Sequence, residues 1–105
     1  MNTVKQGDRV ITAIHYEDTR NKLRIASVEV YDYDGQYLVR RTTLTRQEVI
    51  SAIRNRNQRF VTAYKRNGQW HWGEDVRAFT RNGRDYIRTD ANNIEADNLG
   101  DLPEF

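Results

Sequence analysis

Residues 59–89 read RFVTAYKRNGQWHWGEDVRAFTRNGRDYIRT, and this stretch decides the fold. It holds two Asn-Gly dipeptides, Asn67-Gly68 and Asn82-Gly83, each set between runs of strand-forming residues. A type I′ turn needs positive φ at both central positions, which Asn and Gly tolerate best, so each dipeptide marks a two-residue hairpin. Residues 60–66, 69–72, 76–81 and 84–89 therefore read as a β-meander. Around Asn67-Gly68 the register sets Lys65 opposite Trp70, Tyr64 opposite His71 and Ala63 opposite Trp72. Trp70 and Trp72 then share a face with Val61 and Ala63, while Phe60, Tyr64 and His71 take the other. Because both faces are partly apolar, this hairpin is expected to be central and covered, at least partly, on both sides. Gly73-Glu74-Asp75 breaks the strand, as a bulge or bend would.

The second hairpin pairs Phe79 with Tyr86, Ala78 with Ile87 and Arg77 with Arg88. One face holds Val76, Ala78 and Ile87. The other sets Arg77, Arg81, Arg84 and Arg88 around the Phe79–Tyr86 pair. Arg opposite Arg is unfavourable unless something negative relieves it. The acidic residues 90–105 follow, with Glu95, Asp97 and Asp101 among Leu99 and Leu102. Apolar residues inside an acidic segment need burial. The tail is therefore expected to fold back, its carboxylates on Arg88 or Arg77 and its leucines over Phe79 or Tyr86.

Upstream of the meander lies one clear helix. Thr45-Arg46-Gln47-Glu48 forms a capping box, with Leu44 and Val49 placed as a hydrophobic staple. Val49, Ile50 and Ile53 make an apolar stripe with Ala52 beside it. The helix should end near residues 55–57 and pack on the sheet, being too short to stand alone.

Further upstream, residues 9–15 alternate as a first strand with Val10, Thr12 and Ile14 on one face. Residues 17–22 read as a turn and 23–33 as a second strand, with a bulge near Ala26-Ser27 where its apolar phase changes. Asp34-Gly35 closes a hairpin onto 36–43, setting Tyr31 opposite Leu38, Val30 opposite Val39 and Glu29 opposite Arg40 as an ion pair. Val28, Val30 and Val39 make its core side; Tyr31, Tyr33 and Leu38 make a half-exposed one. Asp32 and Asp34 echo a calcium loop without its later ligands, and read as turn chemistry. The expected fold is α+β: an antiparallel sheet of about six strands in the order βββ-α-βββ, one packed helix and a folded-back tail. A single domain of 105 residues is expected, with 1–7 as a loose arm.

Several segments taken together, Glu48-Val49-Ile50, Phe60-Val61, Tyr86-Ile87-Arg88-Thr89, Asp97-Asn98-Leu99 and Leu102-Pro103, resemble the small prokaryotic DUF3892 family of unknown function. The resemblance spans residues 44–105 and is most specific in the Tyr-Ile-Arg-Thr and Asn-Leu…Leu-Pro stretches. It departs at the end of the helix, where the family usually has Gly and this chain has Asn55-Arg56-Asn57. What it implies is a compact domain whose tail belongs to the fold; it implies no activity.

Composition narrows the function classes. There is no cysteine, which removes disulfides and thiolate metal sites. No apolar run resembles a signal peptide or a membrane span, so a cytoplasmic protein without membrane partners is the default expectation. His15 and His71 stand far apart, outside any nucleophile or metal motif, and no phosphate-binding Gly-rich loop occurs, so neither enzyme activity nor a cofactor or metal is expected. The net charge of +2 conceals an uneven distribution, with 14 Arg against three Lys and an acidic tail. Arg40, Arg41, Arg46, Arg54, Arg56, Arg59, Lys65 and Arg66 crowd into 40–66 among aromatics, opposed there only by Glu48. The first reading is a small binding module for a protein or ligand. The alternative is a nucleic-acid surface built on Arg40, Arg41, Arg54, Arg56, Arg59 and Arg66. Converging exposed Arg would favour the second; an exposed Tyr31–Tyr33–Leu38 patch or a free sheet edge would favour a protein partner.

Overall fold

A computed structural model describes residues 4–18, 20, 24–91 and 94–105. The elements in chain order are β1 (Arg9–Tyr16), β2 (Ile25–Tyr33), β3 (Leu38–Thr45), α1 (Arg46–Arg56), β4 (Phe60–Arg66), β5 (Gln69–Asp75), β6 (Arg77–Arg81) and β7 (Arg84–Arg88). Both Asn-Gly turns form as their chemistry requires: Asn67, Gly68, Asn82 and Gly83 all have positive φ. Both registers follow from them, with Tyr64 opposite His71 and Phe79 opposite Tyr86.

The class is α+β, but the strands do not form one meander. They divide into a five-stranded sheet, ordered β3-β2-β1-β4-β5, and a separate β6-β7 ribbon. The larger sheet is mixed, because β1 and β4 run parallel, Arg9 beside Phe60 and Ile11 beside Thr62. The helix between β3 and β4 supplies the crossover that a parallel pair needs. The bulge at Gly73-Glu74 lets β5 continue to Asp75, opposite Val61. The Thr62 hydroxyl holds that bulge by accepting from the Glu74 N–H at 3.0 Å, and a Cβ on Gly73 would stand 2.2 Å from the same oxygen.

Bulges also correct the upstream registers. Thr12 is the extra residue of a bulge in β1. The phase changes there, so Ile14 joins Ile11 in the main core while Val10 packs with Val61 and Ala63 on the other face. Val10, Thr12 and Ile14 therefore do not form one face. The bulge expected at Ala26-Ser27 is present, with His15 opposite Ser27 and Tyr16 opposite Ile25. The β2–β3 hairpin has a four-residue loop, 34–37, rather than the two-residue turn: Asp34 Oδ1 accepts from the Gln36 and Tyr37 N–H groups at 2.8 and 2.6 Å. Those bonds hold the Asp34 carboxyl below the usual carboxylate range. Tyr33 thus faces Leu38, and Arg40 at φ 57 marks a further bulge. Glu29 faces Thr43 instead of Arg40, and its carboxylate meets Arg41 and the Thr12 hydroxyl. Val39 is half-buried and outside both core clusters. Leu23, expected to begin β2, lies outside the described residues, as does much of the turn before it. Residues 1–3 of the expected arm do too; the part that follows is tied down by the Gly7 N–H donating to Tyr33 O at 2.9 Å.

The helix keeps its capping box, Glu48 N–H to Thr45 Oγ1 at 3.1 Å and Thr45 N–H to Glu48 Oε1 at 2.9 Å. Its end is closed by Asn57 at φ 51. This is a left-handed position, which favours Gly and which Asn tolerates. Val49, Ile50 and Ala52 are buried against Ile11, Val28, Val30 and Phe60, with Leu44 and Ile53 at the margin. Ile53 is only half-buried, so the largest truncation loss on this stripe moves to Ile50. Ile50→Ala is expected to cost about 2–5 kcal/mol. A denaturant titration showing a loss below about 0.5 kcal/mol, the range of a surface change, would place Ile50 outside the core.

The tail closes the fold. Asn98 bridges to Arg88 of β7, and Glu104 bridges to Ile14 of β1. Leu99 is fully buried in the main core and Leu102 packs at its edge, and neither Phe79 nor Tyr86, over which they were expected, belongs to that cluster. No helix among the described residues is long and apolar enough to cross a membrane.

Candidate functional site

The helix covers one face of the five-stranded sheet and leaves the other open. On the open face Val10, Val61 and Ala63 form a small buried cluster, with Val4, Tyr33 and Leu38 packed around it. The Asn67-Gly68 turn fixes which side chains stand above this cluster. Lys65 lies opposite Trp70 and Ala63 opposite Trp72, so both tryptophans rise on the open side. Both remain partly in solvent: Trp70 is 45% exposed and Trp72 41%. The expectation of a central, covered hairpin holds for β4, with Phe60 buried on one face and Val61 and Ala63 on the other, and fails for β5. β5 is the sheet's edge, and Gln69, Trp70, His71 and Trp72 are all exposed.

Between the tryptophans and the β2–β3 loop runs a groove of about 390 Å³, walled by Tyr33, Tyr37, Leu38, Trp70 and Trp72 with Ala63 on its floor. Tyr33 meets Trp72 edge to face, ring centres 5.1 Å apart. Tyr37 is 62% exposed at the rim. The Lys65 ammonium lies 5.2 Å from the Trp70 ring centre, and Arg66 stacks over Tyr64 on the opposite side of the hairpin. Such a surface can grip an apolar or aromatic group and set a cation beside it.

The arginines of 40–66 do not converge. Arg59 reaches Asp8 and Asp75 at 2.9 and 2.8 Å. Arg54 reaches Asp85 at 2.7 Å and the Thr80 hydroxyl at 2.7 Å. The Thr80 hydroxyl and Arg54 together hold the Asp85 carboxyl below its ordinary value. Its contribution to stability is present above the unfolded carboxylate pKa and is lost as the pH falls through the lowered one. Arg41 stands 3.6 Å from Glu29. Arg46 is buried on Asp97. Arg40 sits exposed on its bulge and Arg56 exposed at the helix end, on separate elements.

The second Arg group is largely taken up by the chain itself. Asp90 relieves the Arg77–Arg88 pair: its carboxylate accepts from Arg88 at 2.7 and 2.9 Å, and its carbonyl from Arg77. These bonds raise the Arg88 pKa. Arg77 also lies over Phe79, 4.8 Å from the ring centre. Glu95 pairs with Arg81, and Asp97, expected here too, goes to Arg46 instead. Arg84 is exposed, while Tyr86 is buried beneath Arg46. His15 is held by the Phe105 carbonyl and His71 stacks on Tyr64. Among the described residues no group of three or more His, Asp or Glu could hold a metal ion.

The Trp70–Trp72 surface escaped the sequence reading, although one signal for it was present. Gln69, His71 and Glu74 put polar groups on the other side of the same short strand, which suits an edge better than a covered centre.

Fold and site together define a small α+β domain with one helix-covered sheet face and one open aromatic face. The chain matches the family described as "Protein of unknown function (DUF3892)" over residues 10–103, and it belongs to that family. No curated protein and no solved structure matches it. The resembled segments now have places: Tyr86-Ile87-Arg88-Thr89 is β7 and its exit, and Asp97-Asn98-Leu99 is the part of the tail seated on it.

Proposed function

We propose that this protein is a non-enzymatic binding module that receives a polypeptide partner on its open sheet face. The observation that carries the reading is the groove itself: Tyr33, Tyr37, Trp70 and Trp72 around an apolar floor, with the tryptophans and Tyr37 left in solvent. Trp and Tyr bury much area at small entropic cost, and they are the side chains that anchor protein interfaces. The arginines, by contrast, are mostly engaged by carboxylates of the same chain, which weakens the nucleic-acid alternative. What favours that second reading is local: Lys65 and Arg66 flank the hairpin tip beside Trp70 and Tyr64, and neither has an ion-pair partner among the described residues.

The test compares wild-type protein with Trp70→Ala/Trp72→Ala as immobilised bait in lysate of the source cells, with and without nuclease. Both side chains are exposed, so the double variant is expected to keep its circular dichroism spectrum. Under the proposal, wild type retains a protein in both arms and the variant loses it. Retention that nuclease abolishes would move the assignment to nucleic acid. An identical set on wild type and variant would overturn the groove as the binding surface.

A further inference from the structure

We infer that β5 is a self-pairing edge, and that two copies of this chain join through it into one continuous sheet. This does not rest on the reading of the groove, since it concerns the rim of the sheet rather than its face. The two ends of the sheet are built differently. β3, the far edge, is broken by the Arg40 bulge and carries exposed Arg40 and Arg41, features that discourage strand addition. β5 has neither defence over its first four residues: Gln69 to Trp72 pair with β4 without a register shift, and all four are exposed.

The hairpin also determines which backbone groups are free. In a two-residue hairpin the residues flanking the turn, Arg66 and Gln69, exchange hydrogen bonds, and bonded pairs then alternate with non-bonded ones. Tyr64–His71 is therefore bonded, while Lys65–Trp70 and Ala63–Trp72 are not. The N–H and C=O groups of Trp70 and Trp72 point away from β4, toward the open edge. A strand arriving there would bond to these two residues, adding to the sheet as extended partners do.

Charge chooses the occupant. The edge is cationic at one end, through Lys65 and Arg66, and anionic at the other, through exposed Glu74. None of the three has an ion-pair partner among the described residues. An antiparallel copy of the same strand brings each end against its opposite. A two-fold axis at His71 sets Trp70 opposite the partner's Trp72, both on the groove side, and brings the Lys65–Arg66 end toward the partner's Glu74. The interface is isologous and closes at two copies. It also places the two grooves side by side across the axis.

Sedimentation velocity over a wide concentration range tests this on the full chain. The expected result is a mass rising from 12.4 kDa toward twice that value, with slowed amide exchange at Trp70 and Trp72. Trp72→Lys, Glu74→Arg, and Lys65→Glu with Arg66→Glu are each expected to weaken association about tenfold or more. All sit on exposed positions, and unchanged melting curves confirm that the variants fold. Combining Glu74→Arg with the Lys65→Glu/Arg66→Glu pair restores complementarity, so association should return. A single-chain mass throughout, a dimer indifferent to these variants, or a combined reversal that stays monomeric would overturn the inference.

Discussion

Removing residues 91–105 is expected to unfold the domain. The tail is the splice between the two sheets. At one end the Thr89 N–H donates to Asn98 O at 2.9 Å and the Asn98 N–H to Ile87 O at 3.0 Å, extending the β6–β7 ribbon. At the other, the Ile14 N–H donates to Pro103 O at 2.8 Å and the Phe105 N–H to Ile14 O at 2.9 Å, on the large sheet. The tail takes a place beside β1 at Ile14, beyond the point where β1 and β4 stop pairing at Ile11 and Thr62. Between these anchors Leu99 is buried among Ile14, Ile25 and Ile87. Losing one such leucine costs about 2–5 kcal/mol. Losing a buried ion-pair partner costs roughly 3–5 kcal/mol. Small domains have only about 5–15 kcal/mol of stability in total. Loss of the cooperative thermal transition is the expected outcome. A truncated chain that melts like wild type would show the tail to be an accessory.

The parts of this architecture legible in the sequence are those that local chemistry decides. Asn-Gly fixed both hairpin registers, and Thr45 with Glu48 fixed the helix start, because a φ preference or a side-chain cap acts within four residues. Registers that depend on bulges were less visible. The phase change at Ala26 left a trace in the apolar pattern, but the bulges at Thr12 and Arg40 did not. One is buried among apolar residues on both faces, and the other follows a loop whose length Asp34 sets through its side chain. The division into two sheets is a long-range choice: β5 and β6 are consecutive, yet each finds its partner elsewhere. The open face was misread for the same reason, since Trp70 and Trp72 look like core until the sheet order places them on an edge strand. Half of the candidate Arg surface is engaged within the fold: Arg41, Arg54 and Arg59 meet Glu29, Asp85, Asp8 and Asp75, carboxylates distant in sequence that local reading does not bring to them. The tail's return was legible because Leu99 and Leu102 had to be buried, although Asp97 was paired with the wrong arginine.

Asp97→Ala is expected to destabilise the protein by about 3–5 kcal/mol, among the largest single-residue effects in the chain. Its carboxylate is a four-way junction. Oδ2 accepts from Arg46 Nε at 2.6 Å and from the Ile25 N–H at 2.9 Å. Oδ1 accepts from the Ile87 N–H at 2.9 Å and from Arg46 Nη2 at 3.3 Å. The start of β2, the first turn of α1, β7 and the tail all meet on one side chain that is wholly shielded from solvent. Alanine would strand the Arg46 charge and two backbone donors together. The second site separates these causes. Arg46→Leu in the Asp97→Ala background removes the stranded charge, so the double variant should be more stable than the two single losses would add to. It should not reach the stability of Arg46→Leu alone, because the Ile25 and Ile87 N–H groups still lack an acceptor, at about 1–3 kcal/mol each. Urea titrations of the four proteins give the comparison. A double variant as stable as Arg46→Leu, or more stable, would mean that Asp97 serves only as a counter-ion, since Arg46→Leu alone strands the buried carboxylate. An Asp97→Ala loss below about 1 kcal/mol would mean that the junction does not hold the tail at all.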